Sequence, residues 1–400
     1  MINFTKLLYN VSSYGDELRY KEKISPAKRR PIVVWNMGQR CNLACIHCYS
    51  DSANKNYPGE LTTLEAEKMI RDLADFKVPV LLFSGGEPLL RKDLFHLNDY
   101  ARKLGLRTVI STNGTLINQK TALRIKEGRF DYAGVSLDGI GQNNDYFRGK
   151  KGAFKSALEG IRNLVRAKQK VGLRFTITRH NWHDLKDIFK LVERENIDRV
   201  CFYHLVYSGR GSSMSKDDLT HQETRLCVDS ICDWLKSMHK RGINKEVLSV
   251  DNHCDGPYLY LKTKKTDPKK ARDILRLLSL NPGNSSGIGI ANIDALGFVH
   301  ADQFWRNYSF GNVRQRSFGE IWTDTSDTLM KRLKNRKSSL KGRCRKCRFL
   351  NICNGNFRVR AEAVYKDPWR EDPACYLTDE EIFVNTQLPR YNNQINSNNQ

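Results

Sequence analysis

Between residues 31 and 206, short apolar segments alternate with longer amphipathic segments, and this alternation limits the fold more than any other feature of the chain. The apolar segments are rich in β-branched residues, which is typical of buried strands, and the segments between them have helical periodicity. Strands are predicted at residues 32–35, 78–83, 108–110, 133–137, 173–178 and 199–206, and helices at 62–75, 94–104, 120–126, 153–168 and 185–195. Six such units predict a parallel sheet with right-handed crossovers. Because six units are too few for a closed eight-stranded barrel, we expect an α/β fold built as a partial (β/α)6 barrel, with functional side chains at the carboxyl ends of its strands.

The remainder of the chain lacks this alternation and divides into further regions. We predict an N-terminal extension at residues 1–30, the barrel at 31–210 and a helical linker at 211–280. Residues 281–385 contain a second group of cysteines and are predicted to form a small cluster-binding domain. The polar end, residues 386–400, is rich in Asn and Gln and is predicted to be disordered.

Composition excludes several classes of protein. No run of about eighteen apolar residues occurs, so no membrane-spanning segment is expected. The first residues contain no long apolar stretch followed by a small-residue cleavage site, so no signal peptide is expected. The 11 cysteines are an odd number, which argues against a complete disulfide framework and favours metal binding in the reducing cytoplasm.

The net charge of +23 admits three kinds of partner: nucleic acid, an anionic surface or a polyacidic small molecule. The basic residues are spread along the chain, and no recognised nucleic-acid-binding module occurs. We therefore expect neither a nucleic acid nor a membrane as partner. A solvated basic surface without any specific ligand is the simplest explanation of the charge.

Three cysteines at CxxxCxxC spacing, Cys41, Cys45 and Cys48, follow directly after the first predicted strand. Cysteine thiolates are the usual ligands of iron–sulfur clusters. A cubane cluster has four irons, so three cysteines leave one iron open for a ligand that is not protein. A zinc knuckle with His47 as the fourth ligand is the alternative.

Glycines and polar residues follow the next three predicted strands. Two glycines allow the backbone to approach a ligand closely, and a carboxylate can accept a hydrogen bond from an ammonium group. Hydroxyl, amide and carboxylate groups at strand ends suit a ribose and a carboxylate. The candidate cofactor-binding residues are Gly85, Gly86, Glu87, Pro88, Ser111, Asn113, Ser136 and Asp138.

A second cysteine group consists of Cys344, Cys347, Cys353 and Cys375. Four cysteines can fill all four corners of a second cubane, and a structural zinc ribbon is the alternative. Asp302 is a weaker candidate for a non-thiolate ligand or a substrate contact. No role is assigned to the remaining cysteines, which are Cys201, Cys227, Cys232 and Cys254.

The first cysteine motif with Tyr49 directly after it, together with the Gly85–Gly86–Glu87–Pro88 turn, resembles the pattern of the radical S-adenosylmethionine (SAM) superfamily. This resemblance implies a [4Fe-4S] cluster on the three cysteines and one-electron cleavage of SAM to give a hydrogen-abstracting radical. It assigns the glycine turn to the methionine amino group of SAM, and Ser136 and Asp138 to the ribose and carboxylate region. A flavodoxin- or ferredoxin-type protein is implied as the electron donor. The second cysteine group resembles a SPASM or twitch auxiliary domain, which implies a second [4Fe-4S] cluster.

Several longer stretches resemble a narrower group, the tetrapyrrole-modifying enzymes of the alternative haem and haem d1 pathways. These stretches are residues 57–62, 204–211, 308–314 and 341–375. Residues 15–20 and 250–256 are more similar to the members that remove acetate side chains from 12,18-didecarboxysiroheme, giving iron-coproporphyrin III; removal of propionates from the same substrate is the alternative. The substrate candidates are Arg210, Arg306, Arg358 and Arg360 as carboxylate clamps and Tyr203, His204 and His253 as iron ligands.

Two rival interpretations remain at this point. A peptide-modifying maturase would have the same two-cluster layout, but such enzymes often carry an N-terminal peptide-recognition domain, and only thirty residues precede the first predicted strand. The non-enzymatic alternative is an electron-transfer protein or a zinc-structured nucleic-acid-binding protein.

Overall fold

A ten-stranded sheet organises the computed structural model, which describes residues 1–20 and 29–383. The strands are β1 (Ile2–Asn3), β2 (Ile32–Asn36), β3 (Val80–Ser84), β4 (Arg107–Thr112), β5 (Ala133–Ser136), β6 (Val171–Ile177), β7 (Arg199–His204), β8 (Glu246–Val250), β9 (Ile290–Ile293) and β10 (Val299–His300). Their spatial order is β1-β8-β7-β6-β5-β4-β3-β2-β9-β10. Neighbouring strands from β8 to β9 are parallel, whereas β1 and β10 pair antiparallel at the two edges.

Helices cover the outer face of this sheet and form much of the region after it. They are α1 (Phe4–Tyr9), α2 (Asp16–Arg19), α3 (Thr63–Asp75), α4 (Leu94–Lys103), α5 (Gln119–Glu127), α6 (Gln142–Arg148), α7 (Ala153–Arg166), α8 (Leu185–Arg194), α9 (His221–Lys240), α10 (Asp255–Lys264), α11 (Pro268–Leu280), α12 (Phe318–Thr323), α13 (Thr328–Lys334), α14 (Gly342–Lys346), α15 (Leu350–Cys353), α16 (Arg358–Tyr365) and α17 (Asp379–Phe383). A capping box formed by Thr62 and Glu65 begins α3.

The strands alternate in the direction of their side chains, and this alternation separates a core from a cavity. Residues such as Leu81, Phe83 and Phe175 point outward and are fully buried against the helices. Their neighbours, such as Leu82 and Arg174, point inward and line a central cavity. The period of two along each strand therefore assigns alternate residues to packing and to the site.

The predicted α/β partial barrel is confirmed, and two further parallel strands extend it. β8 lies within the region predicted as a helical linker, and β9 lies in the predicted cluster-binding domain. The predicted N-terminal extension contributes β1, which pairs with β8. Each of these three strands pairs with a segment that is distant in the sequence. The predicted disordered tail, residues 386–400, lies outside the described residues.

No helix in residues 1–20 or 29–383 is long and apolar enough to cross a membrane.

Candidate active site

The inner face of the sheet encloses a cavity of about 400 Å³. Apolar side chains, including Val34, Leu82 and Val109, line its wall on β2 to β4. On β5 to β7 the wall is polar and includes Arg174 and Tyr203. The cavity therefore suits a ligand that has both an apolar surface and anionic groups.

The first three cysteines are brought together at the carboxyl end of this cavity. Cys41, Cys45 and Cys48 all line it, and each sulfur has a hydrogen-bonding neighbour. The backbone N–H of Leu43 donates to Cys41 Sγ at 3.5 Å, and Arg148 Nη1 donates to Cys45 Sγ at 3.6 Å. Ser50 Oγ lies 3.3 Å from Cys48 Sγ. Donors around cysteine sulfurs are the arrangement that stabilises thiolate ligands, so the three cysteines fit an iron–sulfur cluster.

Burial alone does not favour thiolates at this site. Desolvation raises the pKa of the Cys41 thiol to about 12 and also raises that of Cys45, although Arg148 opposes the rise at Cys45. At neutral pH these cysteines are neutral thiols unless a metal binds them, since a coordinated thiol is deprotonated. The raised pKa values of Cys41 and Cys45 therefore argue against a reactive cysteine in this loop.

The two glycines of the predicted SAM turn pack against the backbone just before the cysteine loop. Gly85 has a φ of +130°, and a Cβ there would lie 2.4 Å from the carbonyl oxygen of Gly38. A Cβ on Gly86 would lie 2.2 Å from the carbonyl oxygen of Arg40. Both glycines line the cavity, so only residues without side chains permit this close packing beside the cysteines.

Glu87 and Pro88 lie behind this turn and are not among the residues that line the cavity. The Glu87 carboxylate is buried and accepts hydrogen bonds from Thr112 Oγ1 at 2.7 Å and from the backbone N–H of Asn113 at 2.8 Å. Burial raises the pKa of Glu87 despite these hydrogen bonds. In this structure Glu87 ties the end of β4 to the glycine turn.

Asp138 is the centre of a buried charged network beside the cysteine loop. Its carboxylate forms an ion pair with Arg148, and His47 Nε2 lies 3.2 Å from its Oδ2. It also accepts the backbone N–H of Thr176 at 2.6 Å. Burial opposes ionisation, but Arg148 and His47 outweigh it and lower the pKa of Asp138 to about 2. His47 is thus a partner of Asp138 in this structure, and Arg148 belongs to no sequence motif that predicts its contacts with Asp138 and Cys45.

The other predicted cofactor-binding residues also lie in this part of the site. Ser111, Asn113 and Ser136 line the cavity. The Asn113 amide donates to Asn42 Oδ1 at 2.9 Å and lies 3.8 Å from Cys41 Sγ. The structure thus brings six of the eight predicted residues to one cavity, with Glu87 and Pro88 directly behind it.

The second cysteine group surrounds a separate small cavity of about 20 Å³. Cys344, Cys347, Cys353 and Cys375 line it, and the backbone N–H of Phe349 donates to Cys347 Sγ at 3.4 Å. A fifth cysteine, Cys254, lines the same cavity. The donor set fits a second iron–sulfur cluster. Cys254 reaches it from a segment some ninety residues before Cys344, so cysteine spacing alone could not include it.

Two of the predicted iron ligands, His204 and His253, line the large cavity, as does Tyr203. His204 Nε2 lies 2.9 Å from Asp255 Oδ2, and this carboxylate raises the pKa of His204 although burial opposes the rise. Burial lowers the pKa of His253, which is therefore neutral. Asp302 also lines the cavity, but its carboxylate accepts the backbone N–H groups of Phe304 and Trp305.

None of the four predicted arginine clamps is among the cavity-lining residues, which corrects the sequence analysis. Arg358 is fully buried and donates to backbone carbonyl groups, and Arg360 is fully buried in an ion pair of 2.8 Å with Asp372. Arg210 pairs with Asp51, and Arg306 donates to a backbone carbonyl. Each of the four guanidinium groups has at least one protein partner. They stabilise loops around the site and do not face the cavity.

Comparisons with known proteins agree with this geometry. Residues 35–192 match the model of the Radical SAM superfamily, and residues 289–348 match the SPASM iron–sulfur cluster-binding domain. The chain is 54% identical over 394 residues to Fe-coproporphyrin III synthase of Methanosarcina barkeri, covering 96% of this chain and 99% of that protein. It is 43% identical over 387 residues to pre-heme d1 synthase of Dinoroseobacter shibae, covering 96% of each.

The fold is also similar to that of Streptococcus suis SuiB bound to S-adenosylmethionine, with a TM-score of 0.68 and 17% identity over 88% of this chain and 78% of that chain. A radical SAM domain carries a [4Fe-4S] cluster and SAM, and a SPASM domain carries a further iron–sulfur cluster. The non-enzymatic interpretation is therefore wrong. The protein belongs to the radical SAM superfamily of enzymes, in the SPASM-containing group that includes Fe-coproporphyrin III synthase and pre-heme d1 synthase.

Proposed function

We propose that this enzyme removes the two acetate side chains of 12,18-didecarboxysiroheme and produces Fe-coproporphyrin III. The observation that carries the proposal is the 54% identity to Fe-coproporphyrin III synthase over almost the full length of both chains. The identity to pre-heme d1 synthase is 43% over a similar length, which makes propionate removal the second candidate.

The cavity supports a tetrapyrrole substrate. A macrocycle of this kind has an apolar ring system with carboxylate arms, and the cavity has an apolar wall on β2 to β4 and a cationic, polar wall on β5 to β7. The apolar wall also keeps water away from the reacting carbon. Binding removes the apolar surfaces of the ring and of the wall from water, and each Å² removed contributes a favourable free energy of about 25 cal/mol.

The cofactors, when bound, supply the one-electron cleavage of SAM and the abstraction of a hydrogen atom from an unactivated C–H bond. The chain's own residues have other tasks. Cys41, Cys45 and Cys48 hold the cluster, and Gly85 and Gly86 give SAM access to it. The buried pair of Asp138 and Arg148 fixes the loop that contains Cys45.

His204 and His253 are the proposed contacts to the substrate iron. Both line the cavity, and imidazole is a common iron ligand; burial, which lowers the pKa of His253, keeps that ring neutral. The Asp255 carboxylate orients His204 and also accepts a hydrogen bond of 2.6 Å from the Tyr376 hydroxyl. A carboxylate behind a histidine is typical of metal-ligating histidines, which favours His204.

We also propose that a flavodoxin- or ferredoxin-type protein in the cytoplasm delivers the electrons. The net charge of +23 supports association with an acidic donor, because opposite charges accelerate encounter.

An anaerobic reaction of the reconstituted enzyme with 12,18-didecarboxysiroheme, SAM and a reductant tests the function. The mass of the tetrapyrrole product is expected to show the loss of both acetate arms. Loss of propionates instead would support the second candidate. A Cys45→Ser variant is the control and is expected to give no product.

A further inference from the structure

Arg174 lies in the middle of β6 and points into the large cavity. It differs from other arginines that line the cavity because it has no carboxylate partner in the described part of the chain. Four of these have carboxylate partners: Arg19 and Arg199 pair with Glu246, Arg107 with Asp131, and Arg148 with Asp138. No ion pair or hydrogen bond joins the guanidinium of Arg174 to any residue in the described part of the chain. Arg174 is only partly exposed, and a charge partly withdrawn from water without a counter-charge costs free energy that an anionic ligand would offset.

Residues of the two neighbouring strands leave space for the Arg174 side chain and contact it. On the neighbouring strand β5 Arg174 is in register with Ser136, but its stem lies back over Gly134, where a Cβ would be 3.0 Å from Arg174 Cδ. The absence of a side chain at Gly134 lets the Arg174 stem lie across β5. On the other side, Arg174 Cζ lies 4.7 Å from the centre of the Tyr203 ring. A cation over an aromatic face keeps the N–H groups at its edge free for a planar anion.

Tyr203 adds a second donor at the same place. It lies on β7 and lines the cavity, and its hydroxyl has no hydrogen-bond partner among residues 1–20 and 29–383. A guanidinium edge and a phenolic hydroxyl together match a carboxylate, which can accept two parallel N–H bonds and a further O–H bond.

The position of this pair connects it to the cluster end of the cavity. Two residues after Arg174 on β6, the backbone N–H of Thr176 donates to Asp138 at 2.6 Å. Asp138 in turn pairs with Arg148, which contacts Cys45 Sγ. Arg174 therefore lies on the inner face of β6, two residues before the position that contacts Asp138.

We propose that Arg174 and Tyr203 form a carboxylate-binding subsite inside the barrel, which anchors one acetate or propionate arm of the substrate. The proposal rests on the proposed function and names the residues that position the macrocycle. Arg174 takes the place of the arginine clamps that the sequence analysis had put at Arg358 and Arg360.

Substrate affinity of the reconstituted holoenzyme tests the subsite, measured by anaerobic absorbance titration with 12,18-didecarboxysiroheme. Arg174→Met keeps the length of the side chain and removes the charge, so the Kd is expected to rise about 10- to 100-fold, the range for losing a hydrogen-bonded charge. Arg174→Lys and Tyr203→Phe are expected to show smaller increases. Gly134→Ala keeps the charge but displaces the stem, and it is also expected to raise the Kd. The control is Arg162→Met, which removes an ion-paired arginine on the outer side of α7 and leaves the Kd unchanged.

Thermal unfolding separates this role from a structural one. Removing a desolvated, unpaired charge does not destabilise the fold, so the melting temperature of Arg174→Met is expected to be equal to or above that of the wild type. A merely structural arginine would give a lower melting temperature with an unchanged Kd, which would overturn the subsite. If Arg174→Met does not fold, an unchanged Kd in both Arg174→Lys and Gly134→Ala would overturn the subsite.

Titration with Fe-coproporphyrin III, which keeps propionates but lacks acetates, identifies the anchored arm. Weaker binding of the substrate alone assigns an acetate to Arg174, and weaker binding of both compounds assigns a propionate. Unchanged binding of both by Arg174→Met, with a wild type that converts the substrate, overturns the subsite and leaves the proposed function intact. A wild type that neither binds nor converts the substrate overturns both.

Discussion

Replacing Asp138 with Asn should destabilise the protein substantially, because Asp138 neutralises a guanidinium in the interior. Its side chain is 1% exposed and that of Arg148 is 8% exposed. The pKa of Asp138 falls from 3.8 to about 2, and at about 1.4 kcal/mol for each pKa unit this corresponds to about 2 kcal/mol of stability at neutral pH. Breaking a buried ion pair by removing one partner costs about 3–5 kcal/mol. We therefore expect Asp138→Asn to lower the free energy of unfolding by about 2–5 kcal/mol.

Anaerobic urea unfolding of the wild type and the variant measures this difference. The matched control is Glu159→Gln, which breaks an ion pair with Arg166 whose side chains are 50% and 55% exposed. Exposed pairs contribute about 0–1 kcal/mol, so the control should lose little stability.

The pH dependence of the difference provides a second readout. Because the folded pKa lies below the unfolded value of 3.8, the stabilisation by Asp138 is present above pH 3.8 and is lost as the pH falls toward 2. The loss in Asp138→Asn should therefore be no smaller at pH 5 than at pH 7. A loss below about 1 kcal/mol, a loss equal to that of the control, or a difference that shrinks markedly by pH 5 would refute the reasoning.

Three further changes test other parts of the structure. Gly86→Ala places a methyl group 2.2 Å from the Arg40 carbonyl oxygen, so the affinity for SAM should fall at least about 10-fold in equilibrium binding, and unchanged affinity would contradict the packing. Cys353→Ser should remove about four irons per chain in anaerobic iron analysis while reductive SAM cleavage continues, whereas loss of all iron would show that the two clusters depend on each other. Arg360→Met leaves Asp372 buried and unpaired, so the free energy of unfolding should fall by about 3–5 kcal/mol, and an unchanged urea midpoint would argue against the ion pair.

Local patterns predicted the central part of the fold. The six strands from β2 to β7 were found in the sequence because each is short, apolar and followed by a helical segment. β8 and β9 were missed because neither belongs to such a repeat. Glu246–Val250 pairs with β7, and Ile290–Ile293 pairs with β2 from more than 250 residues away. Pairing between distant segments is a tertiary property that a local pattern does not contain.

The site residues also divide into those that local sequence predicts and those that only the fold brings together. Cys41, Cys45 and Cys48 are neighbours in the sequence, so their spacing alone predicted their common role. Arg358 and Arg360 were interpreted as substrate contacts from their residue type, whereas their burial depends on Asp372 and on backbone carbonyl groups that only the fold brings near. For Arg174 the sequence cannot show that the guanidinium lacks such partners. Arg174 becomes a candidate only when the structure shows that its guanidinium has no ion pair or hydrogen bond in the described part of the chain and that its stem lies over Gly134.

The central claim is that one hydrogen abstraction by a radical SAM enzyme removes each acetate arm of a tetrapyrrole. The direct measurement is a single anaerobic reaction of the reconstituted enzyme with 12,18-didecarboxysiroheme, SAM and a reductant, in which 5′-deoxyadenosine, the acetate-derived product and the tetrapyrrole are quantified together. The expected result is two molecules of 5′-deoxyadenosine and two released acetate arms for each Fe-coproporphyrin III formed. Formation of 5′-deoxyadenosine with an unchanged tetrapyrrole, or with loss of propionates only, would contradict the account.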